Sequence, residues 1–321
     1  MTASASAAVF PDHWIKQGSW NNHRISWIET DRRDGESTAL LIHGFGACKE
    51  HWRHTVPALT GDHHVVALDL LGFGMSNKPQ SILQGEPPNP EGVVYSIDLW
   101  ANQVVDFIDN HGIVDVSLIG NSIGGVVALR AAEILEERQK PAAMVVLIDC
   151  AQRAIDDKRV SEQPPFRALG RPLLKQLVRQ RWVTRSLFMS LARPGVIRKV
   201  LKLAYPTGAC VDDTLVEVLH RAARSPGATE SFRGFINLFN DHLAPEVLER
   251  IKTPVGMIWG EADPWEPLSQ AQQWTRFASV HELATLPSLG HCPHDEGPDQ
   301  VNPILQRMLN TNGRSSAELN S

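Results

Sequence analysis

Short, continuous apolar runs and longer, periodic ones alternate along most of this chain, and the two kinds separate buried strands from amphipathic helices. Residues 14–20 and 23–29 alternate in polarity and meet at Asn21-Asn22, a pair that tolerates the positive φ of a tight turn, so they predict an antiparallel pair at a sheet edge. Ala39-Leu40-Leu41-Ile42, residues 65–70, residues 114–119, Met144-Val145-Val146-Leu147-Ile148-Asp149, Val255-Gly256-Met257-Ile258-Trp259 and residues 281–286 then read as six further strands. Helices are predicted over 50–59, from an N-cap at Ser96 to His111-Gly112, over the apolar stretch that opens at Val126, over 268–277 and over 298–309. Strands that alternate with helices and lack internal alternation belong to a parallel sheet covered on both faces.

The rhythm breaks once. From about Ala151 to His242 the pattern is helical, basic and punctuated by Pro164-Pro165, Pro172, Pro194-Gly195, Pro206 and Pro226-Gly227. The economical organisation is one core made of residues 1–151 and 243–310, a helical insertion over 152–242 after the sixth strand, and a disordered Ser-rich tail over 311–321. No internal repeat is visible.

Charge sharpens this division. The net charge of −5 over 321 residues argues against a nucleic-acid binder, but Arg153 to Lys202 holds thirteen Lys/Arg against three Asp/Glu. Cys48, Cys150, Cys210 and Cys292 are too scattered for a disulfide framework and read as reduced thiols of a cytoplasmic protein. The first residues carry neither the basic start nor the apolar run of a signal peptide or membrane span.

The chemistry is concentrated in Gly120-Asn121-Ser122-Ile123-Gly124-Gly125, set between the fifth strand and a helix. G-x-S-x-G in that context forces a sharp turn that lifts the serine hydroxyl clear of the sheet at the positive end of the helix. A serine needs a base, and the base needs an acid to hold its tautomer. Asp263 follows the seventh strand and His291 the eighth, so the chain order is Ser122, Asp263, His291, with every member at the carboxyl edge of the sheet. His43-Gly44-Phe45-Gly46 closes the third strand, which lets the amides of Phe45 and Ile123 face a developing oxyanion. Asp149, ending the sixth strand, is the alternative acid; Asp69 is assigned to the turn that follows it, and His43 to positioning its own loop. His51 and His54 lack a third ligand, His291-Cys292-Pro293-His294 is too short and too broken for zinc, and no phosphate-binding glycine loop is present, so neither a metal nor a cofactor is expected.

His43 to Gly46, Asp69-Leu70-Leu71-Gly72-Phe73-Gly74-Met75-Ser76, the Gly120 to Gly125 segment, Asp263 and Gly290-His291 together resemble the α/β-hydrolase superfamily in its capped branch. That resemblance implies an eight-stranded, mostly parallel sheet with a helical cap, and a triad of Ser122, Asp263 and His291 with oxyanion amides from Phe45 and Ile123. Haloalkane dehalogenases and epoxide hydrolases of that branch carry aspartate where this chain has Ser122. The segments around Asp69, Ser122, Asp263 and His291 are also similar to hydrolases of cyanobacteria and plastids, including chlorophyll dephytylase-like and pheophytinase-like enzymes. This implies an ester substrate, small or lipid-like. The Asn121-Ser122 pair occurs as well in carbon–carbon bond hydrolases, and related receptors keep the fold as ligand-binding proteins; both stay open as alternatives.

Within the insertion, from Phe166 to Lys202, Leu169, Leu173, Leu174, Leu177, Val178, Trp182, Leu187, Phe188 and Leu191 are interleaved with Arg171, Lys175, Arg179, Arg181, Arg185 and Arg193. The helical spacing predicts an apolar stripe packed on the core with the cations facing water. In a second arrangement, part of the stripe lines an acyl tunnel and the basic face meets an anionic membrane.

Overall fold

The computed structural model describes residues 9–162 and 165–318; the side chains of 161–170 and 312–318, which include Phe166 and Leu169, lie outside the described residues. Eight strands form the central sheet: β1 (Ile15–Trp20), β2 (His23–Glu29), β3 (Thr38–Ile42), β4 (His64–Leu68), β5 (Val116–Asn121), β6 (Met144–Ile148), β7 (Val255–Gly260) and β8 (Val280–Leu286). Their order is β1-β2-β4-β3-β5-β6-β7-β8. Only β2 runs against its neighbours, and the β1–β2 hairpin turns through Asn21 and Asn22 at φ +47° and +63°. Strands β3, β4, β6 and β7 are buried along their whole length, which is why they read as unbroken apolar runs.

Among the described residues the α-helices follow the chain as α1 (Thr55–Leu59), α2 (Ile97–Asn110), α3 (Ile123–Glu137), α4 (Pro165–Arg179), α5 (Arg181–Leu191), α6 (Pro194–Ala204), α7 (Asp213–Arg224), α8 (Ala228–Ile236), α9 (Ala244–Leu248), α10 (Leu268–Trp274), α11 (Pro293–Glu296) and α12 (Pro298–Glu318). The Ser96 side chain caps α2 by accepting from the Leu99 amide, as its position before an apolar-periodic stretch predicts. One face of the sheet buries Val66, Leu118 and Leu147 against Trp100 and Val104 of α2 and Val127 of α3; the other buries Leu41, Ile119 and Val146 with Val56 of α1 and Val301 and Leu305 of α12.

Register sets the site. Ile42 of β3 pairs with Gly120 of β5, Asn121 pairs with Ile148 of β6, Ile148 pairs with Ile258 of β7, and Gly260 pairs with Leu286 of β8. These five strands therefore end on one line, and the loops that leave them must meet.

Three expectations are corrected. The helix expected over 50–59 is a 3-10 turn, Lys49–Trp52, followed by the short α1, because Lys49 is drawn inward to a buried ion pair with Asp69 at 2.9 Å. Of the tail expected to be disordered over 311–321, the part to Glu318 continues α12, with no proline to stop it after Asn310, and 319–321 lie outside the described residues. The insertion is helical as expected, but α4 and the start of α5 are turned the other way. Leu173, Leu174, Leu177, Trp182, Leu187 and Leu191 are exposed, while Arg171 and Lys175 turn inward to Asp157 and the Phe239 ring. Arg179 donates to the Gln84 carbonyl and Arg181 pairs with Glu230. The surface under α4 and the start of α5 offers carboxylates and open carbonyls, so the cations go in and the leucines are left out.

Candidate active site

Ser122 sits between the last residue of β5 and the first of α3 at φ +55° and ψ −125°, a conformation that costs about 1–3 kcal/mol for a residue with a side chain. Backbone bonds hold it there: its N–H donates to the Ile148 carbonyl at 3.0 Å, and its carbonyl accepts from the amides of Gly125 and Ala151, each at 3.0 Å. Glycine is required on both sides of the turn. A Cβ on Gly120 would lie 2.2 Å from the Gly124 carbonyl oxygen, and one on Gly124 would lie 2.3 Å from that of Ile42.

The loops after β7 and β8 bring their residues together. His291 Nδ1 lies 2.8 Å from Asp263 Oδ2, and the Asp263 side chain is only 1% exposed. The other Asp263 oxygen accepts from the amides of Trp265 at 2.8 Å and Glu266 at 3.1 Å, which fixes the carboxylate. This arrangement leaves Nε2 as the free face of the imidazole. Asn121 then ties the serine turn to the histidine loop, its Nδ2 donating to the carbonyls of Ile148 at 3.1 Å and His291 at 3.0 Å. The His291 amide donates to the carbonyl of Ala204, the last residue of α6, at 2.9 Å, and the edge of the Trp265 ring packs on the imidazole at 4.8 Å. Ser122 and His291 line one cavity, but among the described residues no hydrogen bond joins the serine hydroxyl to the imidazole.

Gly44 meets the serine closely enough that a Cβ on it would lie 3.1 Å from the Ser122 Cβ. His43 is buried and orients this loop: Nδ1 is 2.7 Å from the Gly44 carbonyl oxygen, and Nε2 accepts from the Leu70 amide at 3.2 Å. Burial lowers its pKa and keeps the ring neutral. Among the described residues no backbone acceptor takes the amides of Phe45 or Ile123, so both stay available beside Ser122.

The cavity in front of Ser122 has a volume of about 610 Å³. Its roof is apolar and comes from the insertion, with Phe188 of α5, Ile197 and Leu201 of α6, Leu219 of α7, and Phe232 and Phe235 of α8. Phe45 stacks on Phe235 at 3.8 Å between ring centres, joining floor to roof.

Residues 39–304 match the Alpha/beta hydrolase family. The chain belongs to that family. This hydrolase is 26% identical over 83% of its length to a chloroplastic pheophytinase of Arabidopsis thaliana, of which it spans 60%. It is 25% identical to a (lyso)-N-acylphosphatidylethanolamine lipase of Mus musculus, over 91% of this chain and 84% of that one. The crystal structure of a bacterial membrane phospholipase A superposes with a TM-score of 0.67 at 26% identity, covering 93% of this chain and 87% of that one.

The remaining candidates of the hydrolase occupy distinct places. Asp149 is fully buried, accepts from the Gly260 amide at 3.0 Å, and is pushed well up by burial and by the neighbouring Asp263 charge. The histidine is taken by Asp263 instead. Asp69 supports its turn as expected, accepting from the Met75 amide at 2.8 Å. His51 is buried and bonds the Tyr205 hydroxyl at 2.7 Å, and the described residues contain no His, Cys, Asp and Glu group able to hold a metal ion. Sequence reasoning missed Glu266, which lines the cavity, accepts from the Gln152 amide at 2.9 Å, and is pushed up to about 7 by burial. Its only sequence signal is its place three residues after Asp263. Asn121 was legible as part of the motif, but its bond to the histidine loop, 170 residues away, was not.

Proposed function

We propose that this hydrolase cleaves lipophilic carboxylic esters through an acyl-enzyme. The observation that carries the reading is the apolar cavity opening on Ser122 and edged by the His291–Asp263 pair. In this reading His291 Nε2 takes the Ser122 proton as Oγ attacks the ester carbonyl, and Asp263 holds the opposite nitrogen protonated and stabilises the imidazolium. The amides of Phe45 and Ile123 bind the tetrahedral oxyanion. The imidazolium returns its proton to the departing alkoxide, and a water, deprotonated by the same nitrogen, then releases the acid and restores Ser122. Residues 152–242 act as the lid, and its inner phenylalanines and leucines hold the long acyl or isoprenoid chain, phytyl included. Similarity to a pheophytinase and to a lipase supports a lipid-like ester. Four free cysteines suit a cytoplasmic setting.

Carbon–carbon cleavage of a dienol carboxylate needs a cation in the cavity. Arg153 lines it but is paired with Asp156 at 2.7 Å, which weighs against that substrate. A binding protein without turnover has no use for an oriented His–Asp pair beside a strained serine. A fluorophosphonate probe is the test: Ser122 in folded protein becomes labelled, Ser122→Ala does not, and hydrolysis of p-nitrophenyl esters improves from acetate to palmitate. An unlabelled wild-type protein overturns the reading.

A further inference from the structure

The outer surface of the lid carries its own signal. Helices α4, α5 and α6 are consecutive and pack side by side, and each leaves large apolar side chains in water. Leu173 is 73% exposed and Trp182 70%, and Leu177, Met189 and Leu203 are exposed beside them. Scattered single apolar residues on a surface are ordinary, whereas several on adjoining helices mark a face that something covers.

Charge identifies the covering partner. No Asp or Glu occurs between Glu162 and Asp212. Arg171, Lys175 and Arg179 of α4 are spent on internal partners, but Arg185, Lys199 and Lys202 are exposed on α5 and α6, and among the described residues none of their side chains has an ion-pair or hydrogen-bond partner. Arg185 follows Trp182 by three positions and precedes Met189 by four, so the three share one helical face; Lys199 and Lys202 alternate with Val200 and Leu203. A second copy of the chain on the same patch would set cation against cation across a two-fold axis. An anionic lipid layer answers both features: acyl chains accept the leucines and the indole, and headgroups accept the ammonium and guanidinium groups. Leu191 and Val200 of the same helices are exposed and also line the cavity. No helix among the described residues is long and apolar enough to cross a membrane, so the contact is with a surface.

We propose that the outer face of α4, α5 and α6 docks on an anionic lipid surface and takes ester substrate from it into the cavity. The docking stands on its own observations; the delivery of substrate rests on the ester-hydrolase reading.

The test is sedimentation of the full chain with sucrose-loaded vesicles, of phosphatidylcholine alone or in equal parts with phosphatidylglycerol, at low and high salt. Wild type and Ser122→Ala should both bind the anionic vesicles, and high salt should weaken but not abolish the binding. The variant Leu173→Gln/Leu177→Gln/Trp182→Gln should bind about tenfold less or weaker at either salt. Arg185→Glu/Lys199→Glu/Lys202→Glu should lose the preference for anionic vesicles. All six substitutions are at exposed positions outside the cavity, so both variants should keep wild-type turnover of a soluble acetate ester. Wild type that stays in the supernatant with both vesicles, or a leucine variant that binds as wild type does, overturns the proposal. So does a wild-type dimer in ultracentrifugation that the leucine variant dissociates. Failure of Ser122 to react with the probe leaves vesicle binding untouched and overturns only the reaction.

Discussion

The sheet edge and the lid use polar and apolar residues in opposite senses. At the edge, apolar side chains are inside and the buried carboxylates of Asp69 and Asp263 have dedicated partners: Lys49 for Asp69, and the Trp265 and Glu266 amides together with His291 for Asp263. In α4 and the first turn of α5, Arg171, Lys175, Arg179 and Arg181 point in, toward Asp157, Glu230 and open carbonyls, and Leu173, Leu174 and Leu177 point out. The edge is organised for a fixed geometry. The lid has a greasy inner lining from α5 to α8 and an outer face unlike that of a protein meant to meet only water. Amphipathic spacing therefore identifies a helix without saying which side faces in; the surface beneath it decides.

The comparison breaks most visibly in catalysis. Ser122→Ala should lower ester turnover by about four powers of ten or more while leaving the thermal midpoint unchanged or raised, as measured by steady-state kinetics and calorimetry. His291→Ala and Asp263→Asn should each lose several powers of ten, and Asp149→Asn far less. A crippling Asp149→Asn with a mild Asp263→Asn would move the acid to the sixth strand.

Stability gives the next contrast. Leu118, fully buried in β5, should cost about 2–5 kcal/mol on replacement by alanine in urea unfolding. A smaller effect comes from Glu266. Its carboxyl is raised to about 7 from 4.5, so the folded chain holds a proton that the unfolded chain releases between those values. The stability it contributes is complete below about pH 4.5 and lost as pH rises through about 7, and Glu266→Gln should flatten that slope in unfolding curves taken across the range. The smallest change is Leu173→Gln, expected within about 0.5 kcal/mol of wild type because the side chain is already in water. A loss as large as that at Leu118 would mean that the lid face packs against something in solution.

Most of the fold was legible because parallel strands buried on both faces leave unbroken apolar runs, and because glycines mark the turns where backbone meets backbone. Ser122, Asp263 and His291 were singled out by order along the chain, and register brings the loops that carry them to one edge. What escaped depends on contacts between distant segments. Lys49 breaks a plausible helix only because Asp69 lies beneath it, Glu266 matters only through the cavity and the Gln152 amide that meet it, and the inversion of α4 follows from Asp157 and Gln84, neither of which belongs to its pattern.

The bond from the His291 amide to the Ala204 carbonyl has a consequence for anyone exchanging lids between relatives. Gly290 is packed so tightly under the same segment that a Cβ there would lie 2.2 Å from the Ala204 oxygen, and the Gly290 amide and Thr207 both bind Glu296. The seam between scaffold and graft therefore does not fall at the end of the insertion. A chimera that replaces residues 165–203 inherits the native clasp on the histidine loop, whereas one that continues through 207 must bring its own, and activity should separate the two even when both fold.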